Sequence, residues 1–150
     1  MAENSKREQI ILYVVNLLKE ISSIGTVVRK MQAYSDLESF ALPQFPVAAV
    51  VGRLPVPGPK VSGRKPGGVE IIQSSLAVDI FVYIQDNVNP DTAISTIADD
   101  IWVKLYADQT KGNLVISTTL ELDENHAYWE PFVAFKLTDN SIYVHDTGGI

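Results

Sequence analysis

Two histidines, two adjacent aspartates and one basic glycine-rich run are the places in this 150-residue chain where residue types suit chemistry. His126 stands in the run Asp123, Glu124, Asn125, His126, which offers oxygen and nitrogen donors to a metal ion. A hairpin turn selects the same residues, because short polar side chains there bond their own backbone. The run is read as a turn, with no metal ligand. His145 and Asp146 stand near the last residue and read as a frayed polar tail. Asp99 and Asp100 fall in a helical pattern, where adjacent side chains diverge and cannot cooperate as a carboxylate pair. Asp100 is expected to pair instead with Lys104, one turn on. The run from Gly63 to Gly68 holds Arg64 and Lys65 but lacks G-x-x-x-x-G-K-[ST], and a strand rather than a helix follows it. No nucleophile stands beside a base. The chain is expected not to be an enzyme, and no residue is assigned as catalytic, cofactor-binding or metal-binding.

Composition narrows the class. With 46% hydrophobic residues, 20% charged residues and no cysteine, a chain of this length builds one core without disulfide or thiolate-metal staples. The opening MAENSKREQ is polar and is not expected to be a secretory signal. No apolar run approaches the roughly 20 residues that a membrane helix needs, so a soluble, cytoplasmic protein is expected. A net charge of −6 argues against general nucleic-acid binding. Cations concentrate between Lys6 and Lys65, whereas acids dominate from Asp79 onward. A basic front and an acidic back suit head-to-tail contacts between copies; compositional drift over a solvated surface gives the same pattern.

Periodicity supplies the elements. Ser5 and Glu8 form a capping box, and Ile10, Val14, Leu17, Leu18 and Ile21 recur at helical spacing up to Gly25 at the C′ position. Residues 26–31 read as a short strand and 32–46 as irregular. Residues 47–51, VAAVV, lack polar alternation and read as a strand covered on both faces. Between 69 and 85, Leu76, Val78, Ile80, Val82 and Ile84 point one way; Asp79, Phe81 and Tyr83 point the other. Asn89 and Pro90 open a second helix with an apolar stripe of Ile94, Ile97, Ala98, Ile101, Trp102 and Leu105. Alternation resumes at 114–123 and again from Trp129 through Val133, Phe135 and Leu137, extended by Ile142 and Val144. The predicted class is α+β: a mostly antiparallel sheet, two helices packed on one face, and one domain over residues 1–150. The aromatics Phe81, Tyr83, Trp129, Phe132 and Phe135 read as core or subunit contact, or alternatively as the lining of a small-ligand pocket.

Residues 52–68, GRLPVPGPKVSGRKPGG, interrupt this order. Proline lacks a donor and glycine adds entropy, so the run is expected to form neither helix nor paired strand. Long connections of this kind inside a small domain are functional or disordered. The run reads as an arm whose cations Arg53, Lys60, Arg64 and Lys65 meet an acidic partner. It carries no aromatic platform for single-stranded nucleic acid, and contact with a DNA backbone ranks below protein contact.

The helix at 7–21, the entry Phe45-Pro46-Val47-Ala48-Ala49-Val50-Val51, the arm, the long strand at 76–83, the Asn89-Pro90 helix and the close Ile142-Tyr143-Val144 together resemble the tail terminator (tail completion) proteins of long-tailed bacteriophages. The resemblance covers nearly the whole chain and lies in the order of elements. It implies a structural virion protein that caps the tail tube as a homo-oligomeric ring of six. Its partners would be the tail tube protein and the neck or connector protein, with DNA passing an acidic lumen without specific binding. The virion tail or neck, and the host cytoplasm during assembly, are the places implied. The alternatives are a neck or head-completion adaptor and, from another class, a small-ligand-binding regulatory module.

Overall fold

The alternation between residues 70 and 85 folds as one long strand, β4 (Glu70–Gln85), paired antiparallel along nearly its whole length with β7 (Phe132–Asp146). The computed structural model describes residues 5–64, 70–85, 89–123 and 127–146. Around the β4–β7 ribbon stand β1 (Thr26–Val28), β2 (Val47–Gly52), β3 (Val56–Arg64), β5 (Ser117–Leu122) and β6 (Ala127–Trp129). The sheet order is β1-β2-β4-β7-β5. Because β7 fills one edge of β4, β2 and β3 follow one another along the opposite edge; β5 and β6 share the free edge of β7 in the same way. Among the described strands only β1 and β2 run parallel. The mostly antiparallel α+β fold expected from the sequence is the one formed.

Two helices cover one face of this sheet. Ser5 Oγ accepts from the Glu8 amide at 3.2 Å and starts α1 (Lys6–Lys19), while Pro90 takes the first turn of α3 (Pro90–Tyr106). Ile10, Ile11, Val14 and Leu18 of α1 and Ile94, Ile97 and Ile101 of α3 bury against Ala48, Val50, Leu76, Val78, Ile80, Val82 and Leu137. Each such valine, leucine or isoleucine contributes about 1.5–3 kcal/mol of transfer free energy. The parity agrees throughout: even residues of β4 and odd residues of β7 are register partners and share the helical face.

The second face has a cover that periodicity did not reveal. The segment expected to be irregular contains α2 (Tyr34–Glu38) and a 3-10 turn at Leu42–Gln44. It lays Leu37, Phe40 and Phe45 over Val47, Ala49, Tyr83 and Phe132. Phe45 stacks on Phe132 at 5.5 Å, Tyr34 meets the same ring edge-on at 5.4 Å, and the Gln32 amide donates to the Tyr83 hydroxyl at 3.2 Å. Gly25 is not the cap of α1, which ends at Glu20. It lets the chain pass the cover: a Cβ at Gly25 would lie 2.7 Å from the Gln44 carbonyl carbon.

The proline- and glycine-rich run is a correction. Residues 56–64 form β3, antiparallel to β4, with Val56 opposite Ser75, Lys60 opposite Ile72 and Arg64 opposite Glu70. Proline is tolerated because, among the described strands, β3 pairs with β4 alone, and the register shifts between Pro57 and Lys60 and again between Lys60 and Arg64. Gly58 fits the same logic, since a Cβ there would collide with the Gln73 carbonyl oxygen. Strand β1 is shorter than expected: past Val28 the chain turns away and Arg29 forms a two-pronged bond to Glu8 at 2.7 and 3.3 Å.

Candidate functional site

Of the four cations assigned to the arm, Arg53 lies outside β3. Arg53 follows β2, and its amide continues the ladder by donating to Ala77 O at 2.9 Å. Its guanidinium is committed inside the chain, with Nε 2.9 Å from Asp79 Oδ2 and Nη2 3.0 Å from Oδ1. Thr138 Oγ1 donates to the same carboxylate at 2.8 Å. The bond to Asp79, before any other influence, pushes the Arg53 pKa up. Lys60 and Arg64 take register positions on β3, and Lys65 lies outside the described residues. Arg53 is therefore an internal partner of Asp79.

Histidines and acids fare differently. His126 and Glu124 lie outside the described residues. No group of three metal-ligating side chains occurs among the described ones. His145 belongs to β7 rather than to a frayed tail, and its Nε2 lies 2.7 Å from Ser74 Oγ on the register-adjacent stretch of β4. A serine beside an imidazole is the beginning of a nucleophile–base pair. Ser74, however, is 1% exposed, so an incoming substrate cannot reach its hydroxyl. Asp100 accepts from Ser23 Oγ at 2.7 Å and does not pair with Lys104, which reaches Glu20 at 3.3 Å.

Sequence reasoning missed the most enclosed ion pair among the described residues. Lys111 Nζ stands 2.8 Å from Asp139 Oδ2, with both side chains sealed from solvent. That contact is Coulombic, since Oδ2 lacks a directed hydrogen bond; the ammonium donates to Thr118 Oγ1 at 2.7 Å, and Ser141 Oγ donates to Asp139 Oδ1 at 2.8 Å. The turn that delivers Lys111 is left-handed at three successive residues, with φ of 49° at Lys111, 64° at Gly112 and 70° at Asn113. Asp108 holds this turn by accepting from the Gly112 amide at 2.8 Å and the Thr110 hydroxyl at 2.9 Å. These bonds, that of Gly112 first, hold its carboxyl below the ordinary aspartate value. Parity was the available signal: Asp139 occupies a helical-face position between Leu137 and Ser141, where a charge must be buried with a partner.

Depressions also occur among the described residues. One, of about 240 Å³, lies beside the aromatic cover and is lined by Tyr34, Leu37, Glu38, Phe40, Gln85, Pro131 and Phe132. The aromatic set proposed from sequence is thus divided, for Phe135 is buried on the helical face and Phe132 on the other. The second depression, of about 340 Å³, runs between α3 and β5 and is lined by Ser95, Ala98, Asp99, Trp102, Leu122 and Leu137. Trp102 was expected in the buried stripe of α3 but is 38% exposed at this groove. Leu54, after β2, and Val56, the first residue of β3, are exposed apolar side chains, as are Val103 of α3 and Ile116 before β5. No helix among the described residues is long and apolar enough to cross a membrane. No protein-family model matches this chain, and no curated protein matches it.

Proposed function

We propose that this chain is a structural assembly protein of a long-tailed bacteriophage, a tail terminator that closes the tail tube as a ring and joins it to the neck. The observation that carries the reading is the division of exposed apolar surface between the two sides of one sheet, Leu54 and Val56 at the β2–β3 side and Trp102 and Leu122 at the β5 side. Unlike patches on opposite flanks associate head to tail, and head-to-tail association closes into rings. The enclosed Ser74 and the internal Lys111–Asp139 pair fit a structural role, because neither presents a group to a substrate. The resemblance in element order supplies the tail and the hexamer. A neck or head-completion adaptor has the same ring habit and differs in whether it binds tubes or connectors. The protein belongs, on this reading, to the virion tail or neck.

Electron microscopy of the purified protein, alone and mixed with isolated tail tubes, tests this. Six-fold rings seated on one tube end are expected. A stable two-fold dimer indifferent to tubes would sink the proposal. One observation favours a ligand-binding module instead, the aromatic depression with Glu38 at its rim. A protein that stays monomeric at every concentration and gains thermal stability from a small molecule would establish that reading.

A further inference from the structure

The depression beside the aromatic cover, about 240 Å³ in volume, joins unpaired acceptors to aromatic walls. Tyr34 and Glu38 stand one turn apart on α2 and share a face of that helix. Gln85 and Phe132 are register partners at the end of the β4–β7 ribbon, on the covered face of the sheet. The walls are held in place by the fold itself. Tyr34 Oη donates to Glu130 O at 3.2 Å and its ring meets Phe132 edge-on, while Phe40 meets Phe45 edge-on at 6.1 Å. Tyr34 still has 43% of its surface exposed, so its ring is within reach of a ligand. Neither Glu38 nor the Gln85 side chain makes a hydrogen bond or an ion pair among the described residues. No residue that lines the depression carries a positive charge. An ionised carboxylate only accepts hydrogen bonds, and an aromatic ring presents a negative face. Both select a cation. The volume has room for about eight waters at about 30 Å³ each, and so for a head group with an apolar stem.

We infer that this depression binds an alkyl guanidinium, the chemistry shared by an arginine side chain of a partner and a free arginine-like small molecule. Glu38 accepts from the guanidinium in a charge-assisted pair, Tyr34 supplies a ring for the planar head, and the Gln85 amide oxygen accepts a further N–H. Phe40 and Phe132 take the methylene stem. A guanidinium suits the site better than an ammonium, because it is planar, stacks on a ring and is more weakly hydrated. The depression shares no residue with the surfaces invoked above for ring closure. Titration reports on the depression and microscopy on the ring, so either reading can fail alone.

Amide NMR of the full chain, titrated with N-acetylarginine amide, tests this, with N-acetylcitrulline amide as the uncharged isostere. Saturable shifts are expected at α2 and at the Gln85 side-chain amide with the arginine derivative, and none with the citrulline derivative. Glu38→Gln is expected to weaken binding about tenfold, the effect of losing one hydrogen bond to a charged group. Glu38 is exposed and unpaired, so this variant should keep the wild-type spectrum away from the depression. Tyr34→Leu, which removes the ring, is expected to weaken binding as well. An arginine-centred peptide that binds as tightly as the derivative assigns the depression to a partner's side chain. Binding of the derivative with the peptide excluded assigns it to a free small molecule. Three results overturn the inference: equal shifts from the arginine and citrulline derivatives, undiminished binding to Glu38→Gln, or no saturable shift at α2 and Gln85.

Discussion

At Lys111 a backbone at φ 49° and a side chain sealed from water meet a single counter-charge, Asp139. Removing one ion of such a pair strands the other, which costs about 3–5 kcal/mol, whereas replacing both with apolar groups of similar volume is often neutral or better. Lys111→Met should therefore lower stability by about that amount in urea denaturation, and adding Asp139→Leu should restore most of it. A single variant as stable as wild type would mean that water reaches Asp139. Asp108 sets a pH dependence in the same turn. Its folded pKa lies below its unfolded value of about 3.9, so the unfolded state binds more protons in between. The contribution is complete above the unfolded pKa and disappears as pH falls through the folded one. Asp108→Asn should flatten the acid limb of a stability–pH curve measured below about pH 5, with little change in slope above it. An unchanged acid limb would show that other carboxylates govern it.

Among the elements, the cover at residues 32–46 decides whether the second sheet face is dry. It is tied to the body at Gly25, whose amide donates to Pro46 O at 2.9 Å and which has no room for a Cβ against the Gln44 carbonyl. Backbone cannot yield as a flexible side chain does, so Gly25→Ala should cost about 1–3 kcal/mol by overpacking and loosen the cover. Increased dye binding to exposed Phe45 and Phe132 is the accompanying signal; a variant with wild-type stability would show that the cover moves freely. Elements of this kind were the illegible part of the sequence. The helical face was readable because β4 and β7 keep strict period-two parity and α1 and α3 carry continuous stripes. The cover was not, because α2 has five residues and 3-10 turns have no periodicity to display. β3 was misread for a different reason: proline excludes a central strand but not an edge strand with register shifts. Among the site residues, Arg53 was legible as a charge and not as an internal partner of Asp79, because that pairing depends on β2 lying beside β4.

For the whole molecule, the arm question changes once residues 56–64 are a strand. β3 lengthens the edge of the β4–β7 ribbon away from β1 and β2 and carries Lys60 and Arg64 along it, with Lys65 next in sequence. Cations along a strand edge keep it from pairing with stray strands and leave it free for an acidic partner. Replacing Lys60, Arg64 and Lys65 together by glutamate should leave the fold in place. A like charge at the register position opposite Glu70 should cost roughly 0.2–1 kcal/mol. Assembly onto tubes should be lost, and wild-type assembly should weaken as salt rises from about 0.1 M to 1 M, where screening shortens from about 10 Å to 3 Å. Tube-binding assays and ring counts by microscopy across that salt series read both effects. Normal assembly of the triple variant would make β3 a passive edge. Unfolding of the variant would instead mean that β3 stabilises the ribbon itself.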